Sequence, residues 1–423
     1  MKPLLTSMTA IALLAVLAPA QPKPRYTVKD LGTLRNGDNS AGYDMNNAGW
    51  VVGQSNLAPG SNVLHTFVWY GLGPLVDIGT LNGLACPDCN VGGNGPNLFG
   101  MVPVAYETAA TDPHNEDFCG YNTHRICRGA IWWNRAPVRV LDNLPGGNNA
   151  NTFGINNLGQ VVGFAENGKP DSTCATPFQA LRFQPVIWGP DGHIQKALNP
   201  YGADTVAFAF GINDRGQAVG TSGLCSNTAL PPVNPFGPRA VLWDTDGTPV
   251  DLGNLGGTTA VASSINIRGD VVGAAESGKD GTVHAFLWNK QTGMQDLGAF
   301  PGAFATVAPC CNTINNRREV AGFAVEAAGL RALVWQPGAK SPTDLNTLIP
   351  AGSPWFLQGA GALNDAGEIV GWGTINGETH AFLAKPLGGD FFNESTSPAS
   401  TAPRPTSAKT QKLGMGSFRL GAK

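Results

Sequence analysis

A repeated phrase constrains the fold of this chain more than any other feature of its sequence. Each copy leads from an apolar segment through an Asn-x-x-Gly turn, or a close variant, into Val-Val-Gly or a similar triplet. The first spacing between copies is about twice the later ones, which indicates a degenerate copy hidden within it. Repeats of this length are typical of architectures in which each unit packs on its neighbours. The clear copies are residues 46–53, 156–163, 213–220, 266–273, 315–322 and 364–371.

Two further phrases follow each copy, so each unit holds four short strands, named a to d in chain order. A strand that ends in Trp follows, as at residues 285–288, and then an Asp-Leu-Gly-like strand, as at residues 296–298. The turn between strands a and b supplies a glycine that tolerates positive φ, which is typical of hairpins. Residues 315–318 lack that glycine, so a slightly strained turn is expected there.

The two ends of the repeat array complement each other. The last unit has strands a, b and c but no d, whereas residues 26–34 form a d strand with nothing before it. Pairing these ends would close a ring and remove exposed sheet edges. The sequence therefore predicts an all-β, seven-bladed β-propeller of four-stranded antiparallel blades, closed by the N-terminal strand completing the last blade. Six or eight blades are the alternatives, because unit two is poorly marked.

Several copies resemble a known repeat. Residues 251–257, 284–288 and 380–383 are similar to the HAF repeat of predicted extracellular bacterial proteins, and the resemblance covers residues 26–386. Other units replace the His-Ala pair, for example with Arg239-Ala240. The family carries no established activity or catalytic residues, so the resemblance implies a propeller-like fold and no function.

Both termini predict segments outside the repeat domain. Lys2, an apolar stretch at residues 8–17 and the small residues at 18–20 predict a signal peptide over residues 1–20. A transmembrane anchor is the alternative, although the stretch is short for a bilayer. The propeller is expected over residues 21–386, and a disordered tail rich in Ser, Thr, Pro and Ala over 387–423. An exported protein, extracellular or periplasmic, is expected.

Charge narrows the possible partners. The chain has 27 Lys and Arg, 30 Asp and Glu, and a net charge of −3, without a basic run. This pattern argues against nucleic acid. A monomer with no cofactor and no membrane insertion is expected.

Eight cysteines in an exported chain predict disulfides. Cys174 and Cys225 are expected to pair, because they occupy equivalent b–c loops of units three and four. Cys310 and Cys311 are adjacent and are expected to bond to each other just before strand a of unit six. All eight are expected on the face that carries the b–c loops. Four more should pair within unit two, with a zinc site as the alternative: Cys86, Cys89, Cys119 and Cys127.

Function is expected where the units differ. The b–c loops enlarge in unit three (residues 164–184) and unit four (residues 221–238), and unit two has an irregular stretch (residues 82–128). These segments should share one face, which predicts a secreted non-catalytic binding scaffold for a glycan, a protein or a cell-envelope component. The alternative is a propeller-fold glycoside hydrolase or polysaccharide lyase, which needs two suitably spaced acids.

The recurring residues are assigned to structure. The Trp that ends strand c is expected to pack between units, and the Asp of strand d to support a turn or a neighbouring strand. Residues 244–247 resemble part of a calcium loop but are interpreted as a c–d turn. No catalytic, cofactor or metal residue is assigned. Four polar residues of unit two could ligate a metal or act as acid and base, against the plainer interpretation of a solvated loop: His114, Glu116, Asp117 and His124.

Overall fold

The computed structural model describes residues 25–80, 86, 88–134, 136–174, 179–228 and 237–388. The expected signal peptide lies outside these ranges, as does the expected tail apart from residues 387 and 388. The described residues form β-strands joined by turns and loops, with 3₁₀ turns at Cys225–Asn227 and Leu345–Leu348. Within these ranges no helix has the length and apolar character needed to span a membrane.

The strands follow the repeat units of the sequence. The first, β1 (Tyr26–Gly32), precedes unit one. Unit one holds β2 (Ser40–Met45), β3 (Val51–Asn56), β4 (Leu64–Trp69) and β5 (Val76–Asp77). Unit two holds β6 (Val91–Gly93), β7 (Val102–Thr111), β8 (Arg125–Trp133) and β9 (Ala136–Val140). Unit three holds β10 (Ala150–Ile155), β11 (Val161–Pro170), β12 (Leu181–Trp188) and β13 (Ile194–Ala197).

The later units repeat this order. Unit four holds β14 (Val206–Ile212), β15 (Ala218–Gly223), β16 (Arg239–Trp243) and β17 (Pro249–Asp251). Unit five holds β18 (Gly256–Ile265), β19 (Val271–Ser277), β20 (Val283–Asn289) and β21 (Gly293–Asp296). Unit six holds β22 (Ala305–Val307), β23 (Val320–Glu326), β24 (Gly329–Trp335) and β25 (Thr343–Asp344). Unit seven holds β26 (Trp355–Leu363), β27 (Ile369–Ile375) and β28 (Glu378–Pro386).

Each unit is an antiparallel sheet whose strands pair in chain order. Five of the described sheets have four strands, and units five and six together form an eight-stranded sheet. A parallel bridge between Val283 and Ala305 joins these two units. The predicted all-β fold of four-stranded antiparallel sheets is therefore confirmed.

The N-terminal strand supplies the missing fourth strand of the last sheet. Strand β1 pairs antiparallel with β28, from Tyr26 opposite Pro386 to Gly32 opposite Ala381. His380 on β28 also contacts the Asp30 carboxylate, with 2.9 Å between Nδ1 and Oδ2. This hydrogen bond, opposed by burial, raises the pKa of His380 above its usual range. The sequence prediction for this strand is confirmed.

Close backbone contact explains the glycine that ends each repeat phrase. A Cβ on Gly53 would lie 2.0 Å from the carbonyl oxygen of Ala41, and one on Gly371 would lie 1.9 Å from that of Gly359. Any other residue would clash with the neighbouring strand a. The same contact recurs at Gly163, Gly220, Gly273 and Gly322.

The asparagine that opens each turn links one unit to the next. The Asn46 side chain accepts hydrogen bonds from its own turn and donates Nδ2 to the backbone carbonyl of Asn97, 3.0 Å away. Every later asparagine except the last does the same toward the following unit. Asn364 ends the series as an acceptor, because its Nδ2 donates to Glu368 Oε2 at 2.7 Å. The donors and acceptors run in order through Asn46, Asn97, Asn156, Asn213, Asn266, Asn315 and Asn364.

Units one and seven contact each other. Asn47 and Asp365 exchange two hydrogen bonds, Nδ2 to Oδ2 at 2.9 Å and the Asp365 backbone N–H to Oδ1 at 2.8 Å. An apolar cluster contains Met45 of unit one with Val370 and Leu383 of unit seven. The first and last sheets of the array are therefore packed together.

The Trp that ends strand c packs between units, as expected. Trp188 and Trp243 are fully buried. Their indole N–H groups each donate 2.8 Å hydrogen bonds to the carbonyls of Asp142 and Asn199, which follow strand d of the preceding unit. These rings are unavailable for sugar stacking.

The Asp of strand d pairs across its own sheet. Asp296 accepts from the Gly298 backbone at 2.7 Å and lies 2.9 Å from His284 Nδ1. In the next unit, Asp344 accepts from Arg331 at 2.7 Å. These carboxylates therefore stabilise turns and neighbouring strands of the sheet, as the sequence predicted.

The turn without glycine adopts the conformation that glycine prefers. Arg318 has a φ of 66°. Its guanidinium donates to both carboxylate oxygens of Asp270, at 2.9 and 2.8 Å, in unit five. The expected strain is present, and a charge-assisted contact between units accompanies it.

The prediction of an irregular stretch at residues 82–128 is wrong for much of its length. Strands β6 and β7 and the start of β8 lie within it. Asn97 forms the hidden turn, and its Oδ1 accepts from the backbone N–H groups of Phe99 and Met101 at 3.0 and 3.1 Å. The copy escapes notice because Pro103 interrupts the usual Val-Val-Gly triplet.

Two further expectations are corrected. The expected loop at residues 164–184 is shorter than predicted, because β11 runs to Pro170 and β12 begins at Leu181. Cys310 and Cys311 do not precede strand a of unit six but follow β22, within the innermost segment of that unit. That segment resumes pairing at the bridge between Ile314 and Val320. This cysteine pair therefore belongs to an inner strand segment rather than to a b–c loop.

Candidate functional site

The b–c loops of units two, three and four are linked to one another. The loop face is defined here as residues 112–124, 171–174, 179–180 and 224–228. A disulfide joins Cys174 to Cys225 across units three and four, with 4.7 Å between their Cα atoms. This pairing confirms the sequence prediction. The other cysteines are bonded as Cys86–Cys89, Cys119–Cys127 and Cys310–Cys311.

Asp112 shapes the loop of unit two. Its Oδ1 accepts from the backbone N–H groups of His114 at 2.8 Å and Glu116 at 3.1 Å. Its backbone N–H donates to the carbonyl of His124 at 2.9 Å, which closes the base of the loop. The loop is therefore folded by its own polar contacts.

Glu116 joins this loop to unit three. The side chain is fully buried, and its Oε1 accepts from the backbone N–H groups of Ala180 and Leu181, the latter at 3.0 Å. Phe118 adds an apolar contact, with its ring 4.8 Å from that of Phe164. The loop of unit two therefore lies on unit three rather than extending into solvent.

Glu166 and Glu116 form a buried acid pair around Asn149. Glu166 accepts from Asn149 through Nδ2 at 3.0 Å and through the backbone at 3.1 Å. Burial raises the pKa of Glu166 to about 8, and the hydrogen bond and negative charge of Glu116 act in the same direction. The same Asn149 side chain donates to Asp112 at 2.8 Å. The pair holds a proton near neutral pH and stabilises the joint between two units.

The four candidate residues of unit two do not converge on one point. His114 is exposed, whereas Glu116 is buried beneath the loop. Both carboxylate oxygens of Asp117 accept from the Asn122 backbone at 2.9 Å, and His124 Nδ1 lies 2.8 Å from the Asn115 carbonyl. Among the described residues, no cluster of three or more His, Cys, Asp or Glu side chains is placed to hold a metal.

The exposed side chains of the loop face are neutral. None of the exposed, described residues in these loops is Lys, Arg, Asp or Glu, and Asp117 is half-buried. Hydroxyl and amide groups predominate among them. They are Pro113, His114, Asn115, Asn122, Thr123, Ser172, Leu224, Ser226 and Asn227.

Asp44 ties together the inner segments of three units. Its carboxylate accepts from the Gly95 backbone of unit two at 2.9 Å and from Asn312 Nδ2 of unit six at 2.9 Å. Burial raises the pKa of Asp44 to about 6, although these hydrogen bonds favour the ionised form. Units one, two and six therefore approach one another at their inner edges.

A cavity of about 50 Å³ lies where the loop of unit two meets these inner segments. No residue that lines it, within the described part of the chain, carries a charged side chain. Sequence reasoning missed this site, because its residues are far apart in the chain. The one signal was the Trp after Gly371, where other units have smaller or different residues. The side chains that matter below are Tyr43, Gln54, Tyr121, Thr152 and Trp372.

No protein-family model matches the chain, and no curated protein matches it either. Among solved structures, it is similar to a chain of the mitotic checkpoint complex, at 12% identity and a TM-score of 0.47, covering 90% of this chain and 98% of that one. It is similar to the β-propeller domain of the trilobed protease from Pyrococcus furiosus, at 10% identity and a TM-score of 0.48, covering 84% and 100%. It is also similar to Trypanosoma rangeli sialidase, at 10% identity and a TM-score of 0.38, covering 88% and 56%.

Similarities this weak support no conclusion about the function of this chain. The four-stranded antiparallel sheets, paired in chain order, define an all-β protein of the β-propeller type.

Proposed function

We propose that the chain is a closed seven-bladed propeller, exported from the cell, whose loop face is a non-catalytic binding surface. The pairing of β1 with β28 and the contacts between units one and seven support closure. The series of seven linked asparagines supports the blade count. Four disulfides indicate an oxidising compartment, such as the extracellular space or the periplasm.

One observation carries the proposed function, namely that three loops from three units are fixed together. The disulfide between Cys174 and Cys225 and the buried contact from Glu116 to Leu181 hold them. A surface held in one conformation loses little entropy when it binds. Loops serving only as connections between strands would not need such links.

The ligand we favour is a neutral glycan. Exposed Asn, Ser and Thr side chains can donate to and accept from sugar hydroxyls. The lack of exposed charge on the described loop residues argues against an anionic or cationic polymer. A protein or another cell-envelope component is an outcome that the test below can reveal.

The hydrolase alternative lacks support from the acids of this region. Glycoside hydrolases place two carboxyl groups on either side of the scissile bond, roughly 5 to 9.5 Å apart. Glu116 and Glu166 are instead fully buried and hydrogen-bonded to each other, so no substrate reaches between them.

A glycan array with the secreted protein tests the proposal. Substituting Ser172→Arg or Ser226→Arg places a long charged side chain on the loop face, and we expect glycan binding to weaken about tenfold or more. The control is Ala48→Arg, which is also an exposed site but lies in an a–b turn, and this variant should bind as the parent does.

If the parent protein binds no glycan on the array, or if all three variants lose affinity equally, the proposed binding surface is wrong. Capture of a protein or another envelope component would correct the ligand class. Release of sugars from an unmodified substrate panel would favour the hydrolase.

A further inference from the structure

Three buried polar atoms of residues that line the cavity have no hydrogen-bond partner. They are Gln54 Oε1, Thr152 Oγ1 and Trp372 Nε1. Their residues are 3%, 1% and 2% exposed. A buried polar group without a partner is costly, and native proteins rarely leave several beside one cavity. These atoms therefore indicate a site built to receive hydrogen bonds.

The structure fixes the hydrogen-bonding role of the Gln54 amide. Gln54 Nε2 donates to the Val91 carbonyl at 2.9 Å and to the Tyr121 hydroxyl at 2.8 Å, which commits the amide nitrogen and leaves Oε1 as the acceptor. The Trp372 ring is held between Tyr43 and Phe323, at centroid distances of 6.1 and 5.7 Å. The site offers an acceptor, a donor and a hydroxyl that can act as either.

The size and charge of the cavity restrict what can bind. A volume of about 50 Å³ holds on the order of four water-sized groups. The absence of charged side chains from its described lining disfavours an ionic ligand, which would lose hydration without compensation. Aromatic rings of Tyr43, Tyr121 and Trp372 suit the C–H groups of a carbon skeleton.

We propose that this cavity binds a small neutral hydroxylated molecule, a polyol or the edge of a single sugar ring. One hydroxyl can donate to Gln54 Oε1 while another accepts from Trp372 Nε1. Thr152 Oγ1 can pair with either. This site goes beyond the proposed function, because it can bind a small molecule whether or not the loop face binds a glycan.

Ligand-observed NMR and calorimetry on the secreted protein test the proposal. The neutral probes are glycerol, myo-inositol, glucose and N-acetylglucosamine, with glucuronate and glucosamine as charged comparisons. A neutral probe should bind, and Trp372→Phe or Thr152→Val should each weaken it about tenfold, since each variant removes one hydrogen-bonding group. Glucose oligosaccharides in parallel distinguish a free molecule from the end of a chain.

The matched control is Trp243→Phe, because that indole donates to the Asn199 carbonyl outside the cavity. It should leave probe affinity unchanged while lowering the melting temperature. Trp372→Phe should lower the melting temperature less than Trp243→Phe does, because both variants lose buried volume but only Trp243 also loses a hydrogen bond. Failure of every neutral probe to bind, equal binding by charged probes, or affinity unaltered in both cavity variants would overturn the proposal.

Discussion

Gly371 shows how a missing side chain sets the distance between two strands. The residue follows Val370 at the end of the repeat phrase, and the carbonyl of Gly359 occupies the space where a Cβ would lie. The sequence predicted the recurrence of this glycine but not its reason, since the same residue also suits turns. The reason appears only when strand a is placed beside it.

Gly371→Ala should lower the free energy of unfolding by about 3 kcal/mol, because the methyl group would meet backbone that cannot rotate away. Denaturant unfolding measures the loss. Gly388→Ala is the control, since nothing lies within 4 Å of its Cβ position. A Gly371→Ala loss as small as that of the control would refute the packing argument.

At the scale of elements, the loop of unit two has contacts that the sequence could not predict. Glu116 is polar and in a connecting segment, so an exposed role was a reasonable expectation. It is buried because unit three supplies the backbone N–H groups of Ala180 and Leu181 and the carboxyl of Glu166. Contacts between residues so distant in the chain leave no local pattern. The pairing of Cys174 with Cys225 was predictable, because equivalent positions in adjacent units are neighbours.

The acid pair makes this joint sensitive to pH. The raised pKa of Glu166, about 8, lies above the value of 4.5 for an unperturbed glutamate. Protonated Glu166 stabilises the fold. This contribution is complete below about pH 4.5 and is lost as the pH rises toward 8, because over this range the folded state holds a proton that the unfolded chain releases. Glu166→Gln should remove this part of the pH dependence.

Melting temperatures between pH 5 and 8 measure the effect. The control is Glu276→Gln, the equivalent position of unit five, where hydrogen bonds from Thr258 lower the pKa of the carboxyl. The stabilising effect of ionised Glu276 is lost only as the pH falls below about 4.5. Above that pH, the melting temperature of Glu276→Gln should therefore change with pH as steeply as that of the parent. Equal slopes for the parent and Glu166→Gln would exclude a titrating pair.

At the scale of the whole molecule, the N-terminal strand links the two ends of the chain. Thr27 on β1 lies beside Lys385 on β28, 358 positions later in the sequence. The sequence predicted this pairing because unit one is preceded by an extra d strand, whereas the last unit lacks one. It did not predict that Cys310 and Cys311 lie within an inner segment, because a cysteine pair has no strand preference of its own.

Deleting residues 25–34 should lower the melting temperature strongly and promote self-association, because the edge of β28 would be exposed. Calorimetry and light scattering measure the two effects. Removing residues 389–423 is the control, and it should leave the melting temperature unchanged, since that segment lacks a hydrophobic pattern. Normal stability after the N-terminal deletion would show that β1 is dispensable.

The pairing of β1 with β28 also determines when the last sheet can form during synthesis. The ribosome makes β1 before any other described strand and makes its partner after all the others. The last sheet therefore stays incomplete until synthesis of the domain is nearly finished, and β1 has no partner strand until then. Any factor that protects this chain during its synthesis would act on the unpaired edge of β1.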